Sequence, residues 1–147
     1  MRRHVTYGIA VCWLLTIAVH AEDSKWSIQF YEKYNIHTYS SFHPFTERID
    51  MQKIDYPLLH AAVFYETNRQ RQNHQLPEFR YARRLELAAL DHTKDMVAHN
   101  FFSHTSPIKG KETMAKRLAR LGIKNCYIGE NLAYTSGIAN EHGRSLF

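Results

Sequence analysis

Apolar positions recur at helical spacing in three stretches of the chain. The first stretch begins with Asp55 as an N-cap candidate and Pro57 in the first turn, and it predicts a helix that runs toward Arg71. The second stretch predicts a helix over residues 82–99. Both helices have an apolar stripe that another element, such as a sheet, must cover.

The stripe of the second helix contains two histidines. Its members follow one another at steps of four and three: Leu85, Ala89, His92, Met96 and His99. This spacing places both histidines toward the core or a cavity wall. Because they lie two turns, about 10 Å, apart along the axis, they are too distant to chelate one ion together. We therefore expect His92 to be a hydrogen-bonded core histidine.

The third apolar stretch predicts a helix over residues 111–121, which Gly122 ends. Its predicted buried stripe comprises Met114, Leu118 and Leu121. Residues 123–134 then predict a strand or extended loop around a Gly-Glu-Asn turn. Three helices followed by extended chain indicate an α+β fold.

The segment 22–54 differs from the rest in its many aromatic residues. Trp26, Phe30 and Tyr34 are spaced by four, which predicts one face of a helix, and residues 38–44 are loop-like. A mobile tether is the alternative, but it would leave a large aromatic surface exposed. We expect this N-terminal extension to pack against the main domain.

Residues 1–21 have the pattern of a secretory signal peptide. Arg2 and Arg3 precede an apolar run over residues 9–19, and small residues flank a plausible cleavage site before Glu22. A membrane anchor is the alternative, but about 11 apolar residues are too few to span a bilayer. We expect an exported protein, secreted, periplasmic or associated with the cell envelope, without a transmembrane anchor after cleavage.

Charge and cysteine content narrow the class of protein further. Loss of Arg2 and Arg3 leaves 17 basic against 14 acidic residues, a net charge of +3. This excess is too small to indicate a nucleic-acid partner. Cleavage also leaves Cys126 as the only cysteine, so no internal disulfide is possible, and a buried, inert thiol is expected there.

His104 and Glu130 are the two residues whose side-chain chemistry most strongly suggests a functional site. Imidazole nitrogen and carboxylate oxygen are zinc ligands, and a carboxylate can also orient a histidine ring. A zinc site needs about three or four protein ligands, and only 17 residues follow Glu130. The pair therefore predicts half of a site, with a divalent cation such as zinc as the one candidate cofactor.

Five short motifs occur in an order that resembles the CAP superfamily, the cysteine-rich secretory protein, antigen 5 and pathogenesis-related 1 group with SCP domains. The motifs are Asn68-x-x-Arg71, Leu85 with Ala88 and Ala89, His92-x-x-Asp95-Met96, Phe101-Phe102-Ser103-His104-Thr105-Ser106-Pro107 and Gly129-Glu130-Asn131-Leu132-Ala133. The resemblance covers roughly residues 56–135. The lack of paired cysteines is similar to the bacterial branch of the superfamily.

The resemblance implies an α-β-α sandwich of CAP type with a surface cavity. It implies that His104 and Glu130 line this cavity and bind any metal there, with Asn131 and Ser103 as further cavity residues, and it implies no catalytic residue. The family's second histidine, its tryptophan-containing helix and its closing strands have no counterpart here. We expect residues 55–135 to form a partial, C-terminally truncated domain, followed by a tail over 136–147.

Two explanations of the missing histidine remain open. In one, the chain is truncated and His142 is an incidental residue of the tail. In the other, Glu141 and His142 fold back and replace the missing ligands, which loop closure over about ten residues permits.

The function expected from this resemblance is a non-enzymatic binding module with a lipid, glycan, peptide or protein ligand. The sequence has no His-Glu-x-x-His pair and no Gly-x-Ser-x-Gly elbow. Neighbouring residues of a strand point to opposite sides, so Ser103 and His104 do not indicate a Ser-His pair. A divalent-metal-dependent hydrolase and a purely structural envelope protein are the alternatives.

Overall fold

The computed structural model describes residues 10–13, 24–134, 137–140 and 143–146, the three short ranges by their backbone only. The chain divides into two compact units. We call residues 18–81 the aromatic unit, and residues 1–17 with 82–147 the site unit. The described residues form a helix-rich mixture of helices and short strands, and none of their helices is both long and apolar enough to cross a bilayer.

The elements of the aromatic unit are α1 (Phe30–Lys33), two 3₁₀ turns (Tyr39–Ser41 and His43–Thr46) and α2 (Tyr56–Asn73). Those of the site unit are β1 (Ala10–Trp13), α3 (Arg83–Ala98), α4 (Met114–Ala119), β2 (Glu130–Ala133), β3 (Gly137–Asn140) and β4 (Gly143–Leu146).

Asp55 begins α2 in the predicted way. Its carboxylate accepts a hydrogen bond from the backbone N–H of Leu58 at 3.0 Å, which satisfies one of the free donors of the first turn. The same carboxylate accepts bonds from the Ser24 hydroxyl at 2.7 Å and the Lys25 N–H at 2.8 Å. The N-cap of α2 therefore also anchors the start of the aromatic extension.

Aromatic rings fill the core of this unit around Trp26 and Tyr65, which are 6% and 2% exposed. The Tyr65 hydroxyl donates to the carbonyl of Tyr34 at 3.1 Å, and burial raises the pKa of Tyr65 to about 12. Other rings packed around these two belong to Phe30, Tyr31, Tyr39, Phe42, Phe45 and Phe64. Burial of so much aromatic surface stabilises the segment before α2, which has little regular secondary structure.

The predicted helix through Trp26, Phe30 and Tyr34 is wrong in extent. Only Phe30–Lys33 is helical, because the chain on either side turns to bring its rings onto Trp26. The rings nevertheless meet, with centroids 5.3 Å apart for Trp26 and Phe30 and 5.8 Å apart for Phe30 and Tyr34. The loop-like stretch 38–44 contains most of the two 3₁₀ turns.

Asn68 and Arg71 fasten the segment that follows α2. The buried Asn68 amide donates to the carbonyl of Phe79 at 2.9 Å and accepts from its N–H at 2.7 Å. Arg71 donates to the carbonyl of Pro77 at 2.7 Å, and its guanidinium lies 3.6 Å from the centre of the Phe79 ring. These contacts give both motif residues a structural role within the aromatic unit.

Helix α3 confirms the predicted helix over 82–99 and corrects its stripe. Its buried residues include His92 and Met96, as expected, but His99 is exposed. The prediction that His99 faces the core is wrong because α3 ends at Ala98, and Asn100 then adopts a positive φ of 50° that turns the chain away.

Helix α4 is shorter than the predicted 111–121. Thr113 stops it from beginning earlier, since its hydroxyl accepts from the Lys116 N–H at 3.3 Å and caps the first turn. The helix ends at Ala119, and the turn that follows it closes at Gly122, which has a positive φ of 75°. The N–H groups of Gly122 and Ile123 bond to the carbonyls of Ala119 and Leu118, the pattern of a Schellman motif.

Two two-stranded sheets complete the described part of the site unit. Strand β2 occupies only residues 130–133 of the predicted 123–134 and pairs in parallel with β1, with Glu130 opposite Ala10. Strands β3 and β4 pair antiparallel. Since β1 lies within residues 1–21, cleavage at the predicted site would remove this neighbour of β2.

Candidate functional site

The structure brings two of the four predicted cavity residues into direct contact. Nδ1 of His104 lies 2.9 Å from Oε2 of Glu130, across 26 positions of sequence. The His104 side chain is 62% exposed, whereas that of Glu130 is only 11% exposed. The buried carboxylate of Glu130 therefore holds an imidazole ring that is exposed to solvent.

Arg117 is the central residue of this site, and the sequence interpretation missed it. Its Nη2 donates to both carboxylate oxygens of Glu130, at 2.7 and 2.9 Å. Its Nη1 donates to the carbonyls of His104 and Lys111, at 3.1 and 3.2 Å. With a side chain that is 2% exposed, Arg117 joins α4, β2 and the loop between α3 and α4.

One signal in the sequence could have identified Arg117. It lies three residues after Met114 and directly before Leu118, so it belongs to the buried face predicted for α4. An arginine on such a face needs a buried acceptor, because an unpaired charge is costly away from water. Glu130 is that acceptor.

The loop over 103–113 is fixed by contacts at both ends. Nζ of Lys111 lies 2.7 Å from Asp95 and 2.8 Å from Asp91, two carboxylates of α3 that raise its pKa. The buried Ser106 donates its N–H to the carbonyl of Glu112 at 2.9 Å and accepts from Ile108 through its hydroxyl. The imidazole of His104 therefore extends from a loop with a defined backbone path.

Ser103 and Asn131 do not join the contact between His104 and Glu130. The Ser103 hydroxyl accepts the Thr105 N–H at 3.0 Å, a turn-stabilising bond. Asn131 is exposed and follows Glu130 in β2, so its side chain points to the opposite side of the strand. Their assignment as cavity residues stays a prediction.

His92 is a buried histidine beneath this loop. Its Nε2 lies 3.0 Å from the carbonyl of Ser103, which confirms the expectation of a hydrogen-bonded core histidine. Its Nδ1 has no partner among the described residues. Burial and the positive charge of Arg117 lower the pKa of His92. The ring is thus held neutral, in the tautomer that donates through Nε2.

A small groove lies beside the Arg117 and Glu130 pair. Its volume is about 30 Å³, enough for little more than one or two waters or the end of an aliphatic chain. Cys126 is one of its wall residues and is half-buried rather than fully buried as expected. The other residues of its wall are Leu85, Ala88, Ala89, Met114, Arg117, Leu118, Ile123, Tyr127, Ile128, Gly129 and Glu130.

The donor set at His104 and Glu130 does not fit a zinc site. Zinc takes three or four protein ligands, yet in the described ranges no three His, Cys, Asp or Glu side chains are grouped to hold an ion. Both oxygens of Glu130 also accept from Arg117, whose positive charge would repel a cation. Glu141 and His142, the suggested replacement ligands, lie outside the described residues.

A family model matches just over half of the chain. A model described as "CAP: Cysteine-rich secretory protein family" matches residues 64–142, which are 79 of the 147 residues. The match includes His104, Arg117 and Glu130. Neither the curated proteins nor the solved structures include a significant match to this chain.

Proposed function

The chain belongs to the cysteine-rich secretory protein family, CAP, and we propose that it is an exported, non-enzymatic binding module. Its ligand would contact the cavity that includes His104 and Glu130. We further propose that the whole domain has the α-β-α sandwich that the resemblance implies.

The exposed His104 imidazole on a buried ion pair is the observation that supports this proposal most directly. Glu130 and Arg117 satisfy each other beneath the surface, and the 2.9 Å bond to Glu130 orients the ring. The polar edge of His104 is therefore preorganised, which lowers the conformational entropy lost when a ligand binds. The half-exposed Phe102 and the exposed Tyr134, whose ring centroids are 6.2 Å apart, offer apolar contact nearby.

The same geometry gives less support to a hydrolase. A general base must accept a proton, and a metal ligand must donate a lone pair, but the lone pairs of Glu130 already face Arg117 and His104. Hydrolysis at this site would require Glu130 to leave a guanidinium that is almost fully buried. Such a rearrangement breaks a buried ion pair, at a cost of several kcal/mol.

A structural role is the second candidate, and one specific observation favours it. Through Arg117 and His104, Glu130 links the loop over 103–113 to β2. Hydrogen bonds of this kind often have no role beyond pairing buried polar groups with one another. The two candidates differ in whether the exposed edge of His104 meets a ligand.

NMR of the His104 ring can separate the two candidates. The ring resonances of the full-length protein would be assigned by comparison with His104→Gln and then followed during four titrations. The probes would be zinc chloride, sodium laurate, chitotriose and a tripeptide, one for each candidate ligand class. His99, an exposed histidine of the same unit, serves as the control reporter.

The binding proposal expects one probe to shift the His104 resonances saturably while those of His99 stay unchanged. Laurate, chitotriose or peptide binding that is lost in His104→Gln would support the non-metal module. Saturable zinc binding that also requires Glu130 would instead favour the hydrolase. If no probe shifts His104, and its substitution changes only stability, the structural role is the better explanation.

Export rests on residues 1–21 and has its own test. We propose that the chain is cleaved after Ala21, so that the mature protein starts at Glu22. Expression of the full chain in a bacterial host, followed by mass spectrometry of the extracytoplasmic fraction, would give the mature N-terminus. A full-length chain confined to the cytoplasm would contradict the proposal.

A further inference from the structure

We propose that the loop over residues 123–129 docks on the surface of an anionic lipid bilayer. This surface uses other residues than the exposed edge of His104, and it goes beyond the binding function proposed above. Three features of the loop carry the inference: its exposed apolar tip, the cationic side chains beside it and the small size of the groove behind it.

The tip of the loop exposes apolar side chains. No described residue of the site unit covers them. Tyr127 is 98% exposed, and the adjacent Ile128 is 38% exposed. A tyrosine ring suits the membrane interface, because its body is apolar and its hydroxyl can stay among the headgroups. An aliphatic neighbour adds area that can enter the acyl boundary.

Two cationic side chains lie at the start of this loop. Lys124 belongs to the loop and is exposed, and the exposed Arg84 lies beside its start: a Cβ placed on Gly122 would be 3.6 Å from Nη1 of Arg84. In the part of the chain that the structure describes, neither cation makes an ion pair, whereas the neighbouring Arg83 is paired with Glu86. Their charge is therefore available to complement anionic headgroups.

The small volume of the groove behind the loop favours docking on a bilayer surface over binding of a single lipid. Its wall includes Leu85, Ile123 and Cys126, so apolar surface continues inward from Tyr127 and Ile128. Its space of about 30 Å³ is far below the several hundred that a pocket for a lipid-sized ligand provides. The apolar tip is thus suited to partial insertion into an interface rather than to extraction of a lipid.

Vesicle co-sedimentation of the full chain tests this surface. We expect binding to vesicles of phosphatidylcholine with phosphatidylglycerol to exceed binding to phosphatidylcholine alone, and to weaken as salt is raised. Arg84→Gln and Lys124→Gln should each reduce affinity for the anionic vesicles about fivefold. Tyr127→Ser should reduce it on the order of tenfold. Dihexanoyl phosphatidylglycerol, below its micelle concentration, should not protect amides 123–129 from hydrogen exchange.

Matched variants and a local readout keep the result specific to the loop. Lys94→Gln and Val97→Ser remove an exposed cation and an exposed apolar side chain elsewhere in the site unit, and they should leave vesicle affinity unchanged. Hydrogen exchange should show protection of amides 123–129 on anionic vesicles. Protection confined to residues 1–21, equal losses in the control variants, or protection of amides 123–129 by the soluble lipid would overturn the proposal. Loss of the His104 ligand response would not affect it.

Discussion

Arg117 and Glu130 form a buried ion pair in which one guanidinium nitrogen meets both carboxylate oxygens, at 2.7 and 2.9 Å. The two side chains are 2% and 11% exposed. The contact between His104 and Glu130, by comparison, has an imidazole that is mostly in water. The site thus consists of a buried electrostatic pair with an exposed histidine attached to it.

Removal of Arg117 should be far more damaging than removal of a surface charge on the same helix. Arg117→Met leaves Glu130 buried without its cation, so the free energy of unfolding should fall by about 3–5 kcal/mol. The double variant Arg117→Met with Glu130→Leu should be more stable than Arg117→Met alone, because no buried charge then remains. Urea denaturation followed by circular dichroism measures both.

Lys116→Met is the control for this prediction, since Lys116 is an exposed neighbour paired with Glu112. Its effect should stay within about 1 kcal/mol. Equal effects of Arg117→Met and Lys116→Met would show that the pair with Glu130 contributes little.

The two hydrogen bonds between the Asn68 side chain and the Phe79 backbone predict a second large effect on stability. Asn68→Ala removes two buried hydrogen bonds and leaves both backbone groups of Phe79 without these partners. We expect a loss of about 2–4 kcal/mol in the free energy of unfolding. Gln72→Ala, an exposed change in the same helix, should cost only a few tenths of a kcal/mol. A loss below 1 kcal/mol for Asn68→Ala would show that these two hydrogen bonds contribute little to stability.

Two glycines should respond differently to the same substitution. Gly122 has a φ of 75°, so Gly122→Ala forces an L-residue into the left-handed region and should cost about 1–2 kcal/mol. Gly129 lacks a positive φ, and a Cβ there would meet no atom within 4 Å. Gly129→Ala should therefore be neutral or slightly stabilising. Thermal melting of both variants checks the difference, and equal losses would refute the assigned role of Gly122.

His92 should make the protein less stable in mild acid. Its folded pKa is lowered by burial and by Arg117, with smaller opposing effects from the Ser103 hydrogen bond, Glu130 and Asp95, while in the unfolded chain it titrates near 6.5. The unfolded state therefore binds more protons as pH falls below about 6.5, and stability is lost there. The contribution from His92 is at most about 1.4 kcal/mol per pH unit.

The check compares the free energy of unfolding at pH 7.5 and pH 5 for the native chain, His92→Gln and His99→Gln. His92→Gln should flatten the pH dependence, since glutamine does not titrate and can still donate to the Ser103 carbonyl. His99→Gln, at an exposed position, should leave it unchanged. A native-like pH dependence in His92→Gln would mean that other groups cause the loss.

Local signals predicted much of the secondary structure. The N-cap of Asp55 and the extent of α3 each depend on residues within one or two turns, and both are confirmed. Gly122 closes the turn after α4, but the helix itself ends earlier, at Ala119. The predictions are wrong where contacts between residues far apart in the sequence outweigh the local spacing of apolar residues. The rings of Trp26 and Tyr34 meet without the predicted helix, because Trp26 packs on Tyr65 from another part of the chain and the Tyr65 hydroxyl binds the Tyr34 carbonyl.

The sequence by itself determined the family, through short motifs in a characteristic order, and it singled out His104 and Glu130. Only the tertiary structure decided what these two residues contact. Arg117 occupies the buried face of α4, and its guanidinium reaches Glu130 and the backbone of the loop at His104. Such a contact depends on three-dimensional proximity and on the cost of leaving a buried charge unpaired, neither of which residue spacing reveals.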